Sequence, residues 1–205
     1  MICVMLIAMA CAQKPLVIVQ IADAQLGFDA AVKGSVPGAE YVNDLTFEIE
    51  CLKATVAKVN ELKPDMVVFT GDQVHLPYDN EQWDAFVAGI ADIDPSIEQY
   101  HLPGNHDHIL KDGTADPQDF ISRFGSDRFA VEKGNVNVVG INTSLIYFDS
   151  ALEQDQMVWL EEILEATEEE DVTLIFGHHP FFCENIDEED GHVQIQKAKR
   201  HQYFD

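Results

Sequence analysis

The chain has 205 residues, of which 46% are hydrophobic, and its formal net charge is −25. This length is enough for one domain with a substantial buried core, and the composition is that of a globular protein. So negative a charge argues against a nucleic acid as partner, because a phosphate backbone requires a basic surface, and it equally disfavours direct binding to an anionic membrane.

The first eleven residues, MICVMLIAMAC, are almost wholly apolar but too few to span a bilayer as a helix. They resemble the core of a secretory signal, and Ala8 to Cys11 is similar to the cleavage box of a bacterial lipoprotein. We therefore predict a lipoprotein-type signal segment at 1–11 and an exported protein, lipid-anchored in the bacterial cell envelope or periplasm. Because no Lys or Arg precedes Cys11, a hydrophobic leading strand in a cytoplasmic protein is the alternative. The lipid anchor is the only membrane contact that we expect.

Apolar runs alternate with amphipathic stretches along the rest of the chain, which is typical of an α/β protein. The predicted strands, with those outside the hairpin expected to be buried on both faces, are Leu16 to Ile21, Met66 to Thr70, Ile97 to Leu102, the hairpin of Arg128 to Val131 with Val136 to Ile141, and Val172 to Phe176. The predicted helices are about Asn43 to Leu62, one from near Asn80, Pro117 to Phe124, one after Ser150, and one from about Val193. A glycine-bearing loop is predicted through Gly34 and Gly38.

The chain has four cysteines but no CxxC spacing. Cys51 and Cys183 are isolated in the sequence, so we expect ordinary buried or half-buried thiols at these positions. A disulfide framework is not predicted.

Side chains that can bind a metal follow four of the predicted strands. In chain order these are Asp23 and Gln25, Asp72, Asn105 with His106 and Asp107, and His178 with His179. In an α/β sheet, ligands bind beyond the carboxyl ends of the strands. Oxygen and nitrogen ligands without a thiolate suit Mn, Fe or Zn in a catalytic site. The sequence therefore predicts a metal centre.

These ligands exceed what one open catalytic ion needs, so a carboxylate that bridges two ions is the natural arrangement. Two ions a few ångströms apart hold the oxygens of an in-line phosphoryl transfer. The order Asp-x-(His), Gly-Asp, Gly-Asn-His-Asp and His-x-Pro, between Leu16 and about Pro180, resembles the calcineurin-like metallophosphoesterases. Gly104 to Asp107 carries the most specific of these motifs.

The resemblance implies an α/β fold, a four-layer αββα sandwich of two mixed β-sheets flanked by helices, over residues 16–205. It implies a hydrolase that cleaves phosphomonoesters by attack of a metal-bound hydroxide at a centre of two divalent metal ions (Mn, Fe or Zn). The implied substrate is a phosphorylated small molecule or a phosphoprotein that carries Ser/Thr phosphate. Specificity in such folds lies in loops, here Gln25 to Tyr41, His75 to Glu81, His108 to Pro117 and Phe181 to Val193.

The resemblance also implies the metal ligands. Asp23 would bind the first metal, Asp72 would bridge both, and Asn105 and His178 would bind the second. Gln25 stands where the family usually has a histidine, and it would offer the first metal a neutral oxygen. The Asp-x-Gln start resembles a subgroup described as serine/threonine protein phosphatases, so Gln25 is predicted to be a working ligand.

The catalytic roles follow in the same way. His106 would protonate the leaving group or hold the phosphate, with Asp107 orienting its ring. His75 and His179 are candidates to support the metal ligands or to touch substrate, although an ordinary loop histidine is the alternative for His75.

The family closes with a Gly-His-x-His motif, which this chain lacks. We expect the printed chain to end before that motif, within the helix that leads to it, and so to be truncated at its C-terminus. A non-catalytic binding module with a degraded metal site is the alternative function. Metal content would distinguish the two.

Overall fold

The structure, a computed structural model, describes residues 15–38, 40, 42–110, 112–168 and 171–204, so the predicted signal segment at 1–11 lies outside the described residues. Its strands are β1 (Ile18–Ile21), β2 (Met66–Thr70), β3 (Glu98–Leu102), β4 (Phe129–Lys133), β5 (Val136–Gly140) and β6 (Val172–Phe176). Its helices are α1 (Phe28–Gly34), α2 (Thr46–Leu62), α3 (Asn80–Ile90), α4 (Asn105–His108), α5 (Gln118–Phe124), α6 (Thr143–Tyr147), α7 (Glu153–Glu165) and α8 (Lys197–Phe204). None of the described helices combines the length and the hydropathy that a membrane crossing requires.

The described strands form two three-stranded sheets. In the first, β1, β2 and β3 lie in this order and run parallel. In the second, β4 is antiparallel to β5 and β6 is parallel to β5, so this sheet is mixed. The carboxyl ends of β1, β2 and β3 therefore share one edge, where the loops with the predicted ligands begin.

Apolar side chains form three clusters in the core, and residues of β2 belong to two of these clusters. Val67 and Phe69 pack with α2 and α3, whereas Met66 and Val68 contact β5 across the space between the sheets. A third cluster lies between β5 and α7. Because successive strand residues point to opposite faces, a strand between two layers needs an apolar side chain at every position. The layers run helix, sheet, sheet, helix, which confirms the predicted αββα sandwich.

Three predictions about individual segments are wrong. The stretch predicted as a glycine-bearing loop contains helix α1. Strand β6 was expected to be buried on both faces, yet Val172, Leu174 and Ile175 are exposed because β6 is an edge strand of the described sheet. Cys51 and Cys183 are exposed rather than buried.

The ring of His101 lies between two phenylalanines, stacked on Phe69 at 4.6 Å and on Phe124 at 4.3 Å between ring centroids. Burial lowers the pKa of His101 to about 3, so the folded protein keeps the ring neutral. An unfolded chain protonates histidine near pH 6.5 and therefore binds more protons than the folded chain as the pH falls below that value. Folding stability is then lost, by about 2 kcal/mol at pH 5.

We expect the unfolding free energy of His101→Phe, measured by urea denaturation, to decrease less between pH 7 and pH 5 than that of the unchanged protein. The exposed His192 supplies the control, since His192→Gln should leave the fall unchanged. Equal falls in His101→Phe and in the unchanged protein would contradict this assignment.

Candidate metal centre

The loops that follow β1 and β2 are joined by backbone hydrogen bonds. The Asp23 N–H donates to the Gly71 carbonyl at 3.0 Å, and the Gln25 N–H donates to the Asp72 carbonyl at 2.8 Å. Asp23, Gln25 and Asp72 have φ angles of 56°, 42° and 52°, in the left-handed region that non-glycine residues rarely adopt. Such conformations persist where the surroundings impose them, often at functional sites. Here the paired loops hold Asp23 and Asp72 side by side.

Asp23, Asp72 and His178 form the candidate metal centre, with one ligand atom of each within 4.8 Å of the others. His178 reaches the centre from the loop after β6. Its Nδ1 lies 3.0 Å from the Thr70 carbonyl, and its Nε2 lies 3.4 Å from Asp72 Oδ2. Because a carbonyl can only accept a hydrogen bond, Nδ1 carries a proton and Nε2 is the atom available to a metal.

The pKa shifts of the three groups reflect how closely two carboxylates and an imidazole are held together. Burial raises the pKa of Asp23, and the nearby Asp72 raises it further. Burial would also raise the pKa of Asp72, but His178 and the N–H of His106 outweigh it, so this pKa is lowered. Burial opposes protonation of His178, yet Asp72 and Asp23 together raise its pKa. A divalent ion between the three groups would offset the repulsion between the two carboxylates.

Two glycines bring the loop after β3 against Asp72. A Cβ at Gly104 would lie 2.1 Å from Asp72 Oδ1, and a Cβ at Gly71 would lie 2.5 Å from the Gly104 nitrogen. The His106 N–H donates to Asp72 Oδ1 at 2.9 Å. Asn105 stands between Gly104 and His106 and is therefore held at this edge of the sheet. Its role as a metal ligand stays a prediction.

The Asp107 carboxylate is buried and accepts three backbone hydrogen bonds. Oδ1 accepts from the N–H groups of Gln73 at 2.8 Å and Val74 at 3.2 Å, and Oδ2 accepts from the N–H of Gly104 at 2.8 Å. Asp107 thus fastens the loop after β2 to the loop after β3. This contact differs from the predicted one, in which Asp107 orients the ring of His106.

His75 holds the ring of His106. The carbonyl of His75 accepts a hydrogen bond from His106 Nδ1 at 2.8 Å, and the two rings stack at 4.8 Å between centroids. Phe28 packs edge-on against the His75 ring, with 5.7 Å between the two ring centroids. Burial lowers the pKa of His75, and the nearby His106 lowers it further by a smaller amount. The His106 ring is therefore held with its Nε2 left free of this hydrogen bond, and the predicted role of His75 stays a prediction.

Thr143 is a site residue that sequence reasoning missed. Its Oγ1 accepts hydrogen bonds from the backbone N–H groups of His178 at 2.9 Å and His179 at 2.7 Å, which fixes the turn that presents His178. The ring of His179 stacks on Tyr147 at 4.3 Å, and burial lowers its pKa to about 4. The sequence contained a feature that could have identified Thr143, because this residue follows an apolar strand just as the predicted ligands do.

Gln25 lies beside Asp23 and lines a cavity of about 440 Å³ together with it. Helices α1 and α2 supply much of the remaining wall. The cavity gives the candidate metal centre a neighbouring space large enough for a small ligand. The role of Gln25 as a metal ligand stays a prediction.

A family model described as "Calcineurin-like phosphoesterase" matches residues 16–203. A zebrafish (Danio rerio) protein named serine/threonine-protein phosphatase CPPED1 is 30% identical over 204 residues, which are 91% of this chain and 63% of that protein. The chain spans about half the length of most curated relatives that it matches.

Two solved structures share the fold. A purple acid phosphatase from yellow lupin (Lupinus luteus) superimposes with a TM-score of 0.58 at 16% identity, covering 82% of this chain and 31% of that one. A structure described as a dimetal phosphatase from Danio rerio superimposes with a TM-score of 0.54 at 17% identity, covering 82% of this chain and 70% of that one.

Proposed function

Because the chain belongs to the calcineurin-like phosphoesterase family, we propose that it hydrolyses phosphate monoesters at a centre of two divalent metal ions. The observation that carries the proposal is the group of Asp23, Asp72 and His178, whose ligand atoms lie within 4.8 Å of one another. Two such ions, when bound, stabilise the attacking and the leaving oxygens of an in-line phosphoryl transfer. Mn, Fe or Zn suit this set of oxygen and nitrogen donors.

The assignment of ligands follows the directions of the Asp72 oxygens. Oδ2 faces His178 Nε2, while Oδ1 accepts the N–H of His106 on another side. Two oxygens that face different partners suit a carboxylate that bridges two ions. We assign Asp23 to the first ion, with Gln25 as a neutral oxygen donor, and His178 to the second ion together with Asn105.

His106 is the residue we assign to proton transfer. Its Nδ1–H is held by the His75 carbonyl, which can accept that hydrogen bond whether the ring is neutral or cationic. The ring can therefore take up a proton at Nε2 and give it to the leaving oxygen without turning.

We propose phosphorylated small molecules and phosphoproteins that carry Ser/Thr phosphate as substrates. The name of the zebrafish relative, serine/threonine-protein phosphatase CPPED1, supports the phosphoprotein class. The rival function, a non-catalytic binding module, draws its support from Gln25, which removes a nitrogen ligand from the first metal position.

Chelation is expected to lower the melting temperature by roughly 5–10 °C, and Mn²⁺ or Zn²⁺ should restore it. Binding at about one hundred times the dissociation constant stabilises a folded protein by about 2.7 kcal/mol, and each kcal/mol corresponds to roughly 2–4 °C at this chain length. Calorimetry with and without metal measures the shift, and hydrolysis of 4-nitrophenyl phosphate should return with the metal.

The phosphoesterase and the binding module predict different results in this experiment. Metal-dependent melting together with hydrolysis of a phosphate monoester would favour the phosphoesterase. Melting that neither chelator nor metal changes, without hydrolysis of any phosphate monoester, would favour the binding module with its degraded metal site.

A further inference from the structure

The cavity beside the candidate metal centre has mainly apolar walls. Asp23 belongs both to this wall and to the metal centre, so the cavity adjoins the centre at this residue. Phe28 and Val32 of α1 and Phe47 and Leu52 of α2 supply apolar surface around it. A volume of about 440 Å³ suits a small organic group rather than water alone.

One buried carboxylate in this wall has an oxygen without a partner. Glu48 is buried, with only 6% of its surface exposed. Its Oε1 accepts the N–H of Asp29 at 2.7 Å, but Oε2 has no hydrogen-bond partner among the described residues. Leaving a buried carboxylate oxygen unsatisfied is costly. Because Glu48 also lines the cavity, a turn of its side chain toward this space would let a ligand supply the missing donor.

The nearest cationic side chain of α1 does not meet this need. Lys33 forms its ion pair with Asp29 and attracts Glu48 only over a longer range, without direct contact. Within the part of the chain that the structure describes, no ion pair to Glu48 is present. The negative charge in the cavity is therefore available to a cation from outside.

We propose that this cavity binds the leaving group of the substrate, and that the leaving group carries a protonated amine on an apolar body. The ammonium group donates to Glu48 Oε2, the apolar body packs on Phe28 and Phe47, and the phosphate lies at the Asp23 end. An ammonium group suits the site better than a hydroxyl because it also neutralises the charge of Glu48, and an anionic group would be repelled. This inference rests on the proposed function, and it names the substrate class.

The same chemistry has two sources: a small phosphorylated amine, or a phosphopeptide with a lysine beside its phosphoserine. The net charge of −25 attracts cationic molecules of either kind. Two arms of the experiment distinguish them.

The first measurement requires no catalysis. Titration calorimetry compares tyramine with 4-ethylphenol, which has the same apolar body without the amine, on the 205-residue chain. Tyramine should bind about tenfold more tightly, as expected for one hydrogen bond to a charged group. Glu48→Gln should abolish this preference, because a glutamine still accepts the Asp29 N–H but carries no charge. Glu50→Gln, an exposed position on the same helix with the same charge change, should preserve it.

A second variant covers the case in which Glu48→Gln does not fold. Val32→Trp fills the cavity without altering the Glu48 side chain, and it should weaken tyramine binding at least about tenfold. Tyramine binding that is no tighter than that of 4-ethylphenol, or that survives both variants, would overturn the proposal.

The kinetic arms identify the source of the amine. We compare kcat/KM for tyramine O-phosphate against 4-ethylphenyl phosphate, and for a phosphoserine peptide with lysine against the same peptide with norleucine. A preference for the amine that Glu48→Gln removes supports the proposal, and the arm that shows it names the source. If tyramine binds through Glu48 but no phosphate is hydrolysed, the amine site stands and the proposed phosphatase function fails.

Discussion

Asp72→Asn is expected to empty the metal centre and to lower kcat/KM for an aryl phosphate by at least about 10³-fold, because it removes several kcal/mol of stabilisation in the transition state. The Asp72 carboxylate is buried, faces His178 through one oxygen and is the proposed bridge between the ions. A neutral carboxamide cannot balance two cations. Metal analysis by mass spectrometry and steady-state kinetics measure the two effects.

Asp127 provides a matched control. It is buried to the same degree as Asp72 but pairs with Arg128 and Asn142, and it is not one of the three residues of the candidate metal centre. Asp127→Asn therefore changes one buried acid without touching the ligands, and its metal content should equal that of the unchanged protein. Full metal occupancy in Asp72→Asn would disprove the bridging role.

His106→Ala is expected to keep the metals yet lose about 10²–10⁴-fold in kcat, the usual contribution of a positioned proton donor. The loss should depend on the leaving group. It should be large for phenyl phosphate, whose phenolate needs a proton, and smaller for 4-nitrophenyl phosphate, whose phenolate is stable without one. Kinetics with both substrates, together with metal analysis, make the measurement.

His75→Ala is the comparison for this variant. The carbonyl of His75 holds the ring of His106, and the substitution retains that carbonyl while removing only the stacked ring. We expect a loss within about tenfold, below the usual range for a proton donor. If His106→Ala empties the centre whereas Asp72→Asn does not, the two roles have been exchanged.

Features fixed by strand patterns could be predicted from the sequence. A run such as Met66 to Thr70, apolar at nearly every position, can be stable only between two layers, and this strand is completely buried. The carboxyl ends of parallel strands share one edge, so Asp23 and Asp72 were expected to meet, and the structure places them together.

Features that depend on contacts between distant loops could not be predicted in this way. Asp107 accepts hydrogen bonds from residues more than thirty positions away, and no periodicity in the sequence reports such bonds. The exposure of β6 depends on which strand flanks it rather than on its own apolar residues. Helix α1 begins directly after Gly27, which adopts a left-handed conformation with a φ of 96°. The sequence analysis interpreted the glycines in this stretch as signs of a loop and so missed the helix.

The candidate metal centre lies across the boundary between the two sheets. Asp23 and Asp72 follow strands of the first sheet, whereas His178 follows β6 of the second and its Nδ1–H donates to the carbonyl of Thr70 in the first. An ion held by all three would therefore act as a cross-link that favours the packing of one sheet on the other. Substitutions between the sheets, for example at Val68 or Val138, would then weaken metal binding without touching a ligand if they loosen that packing.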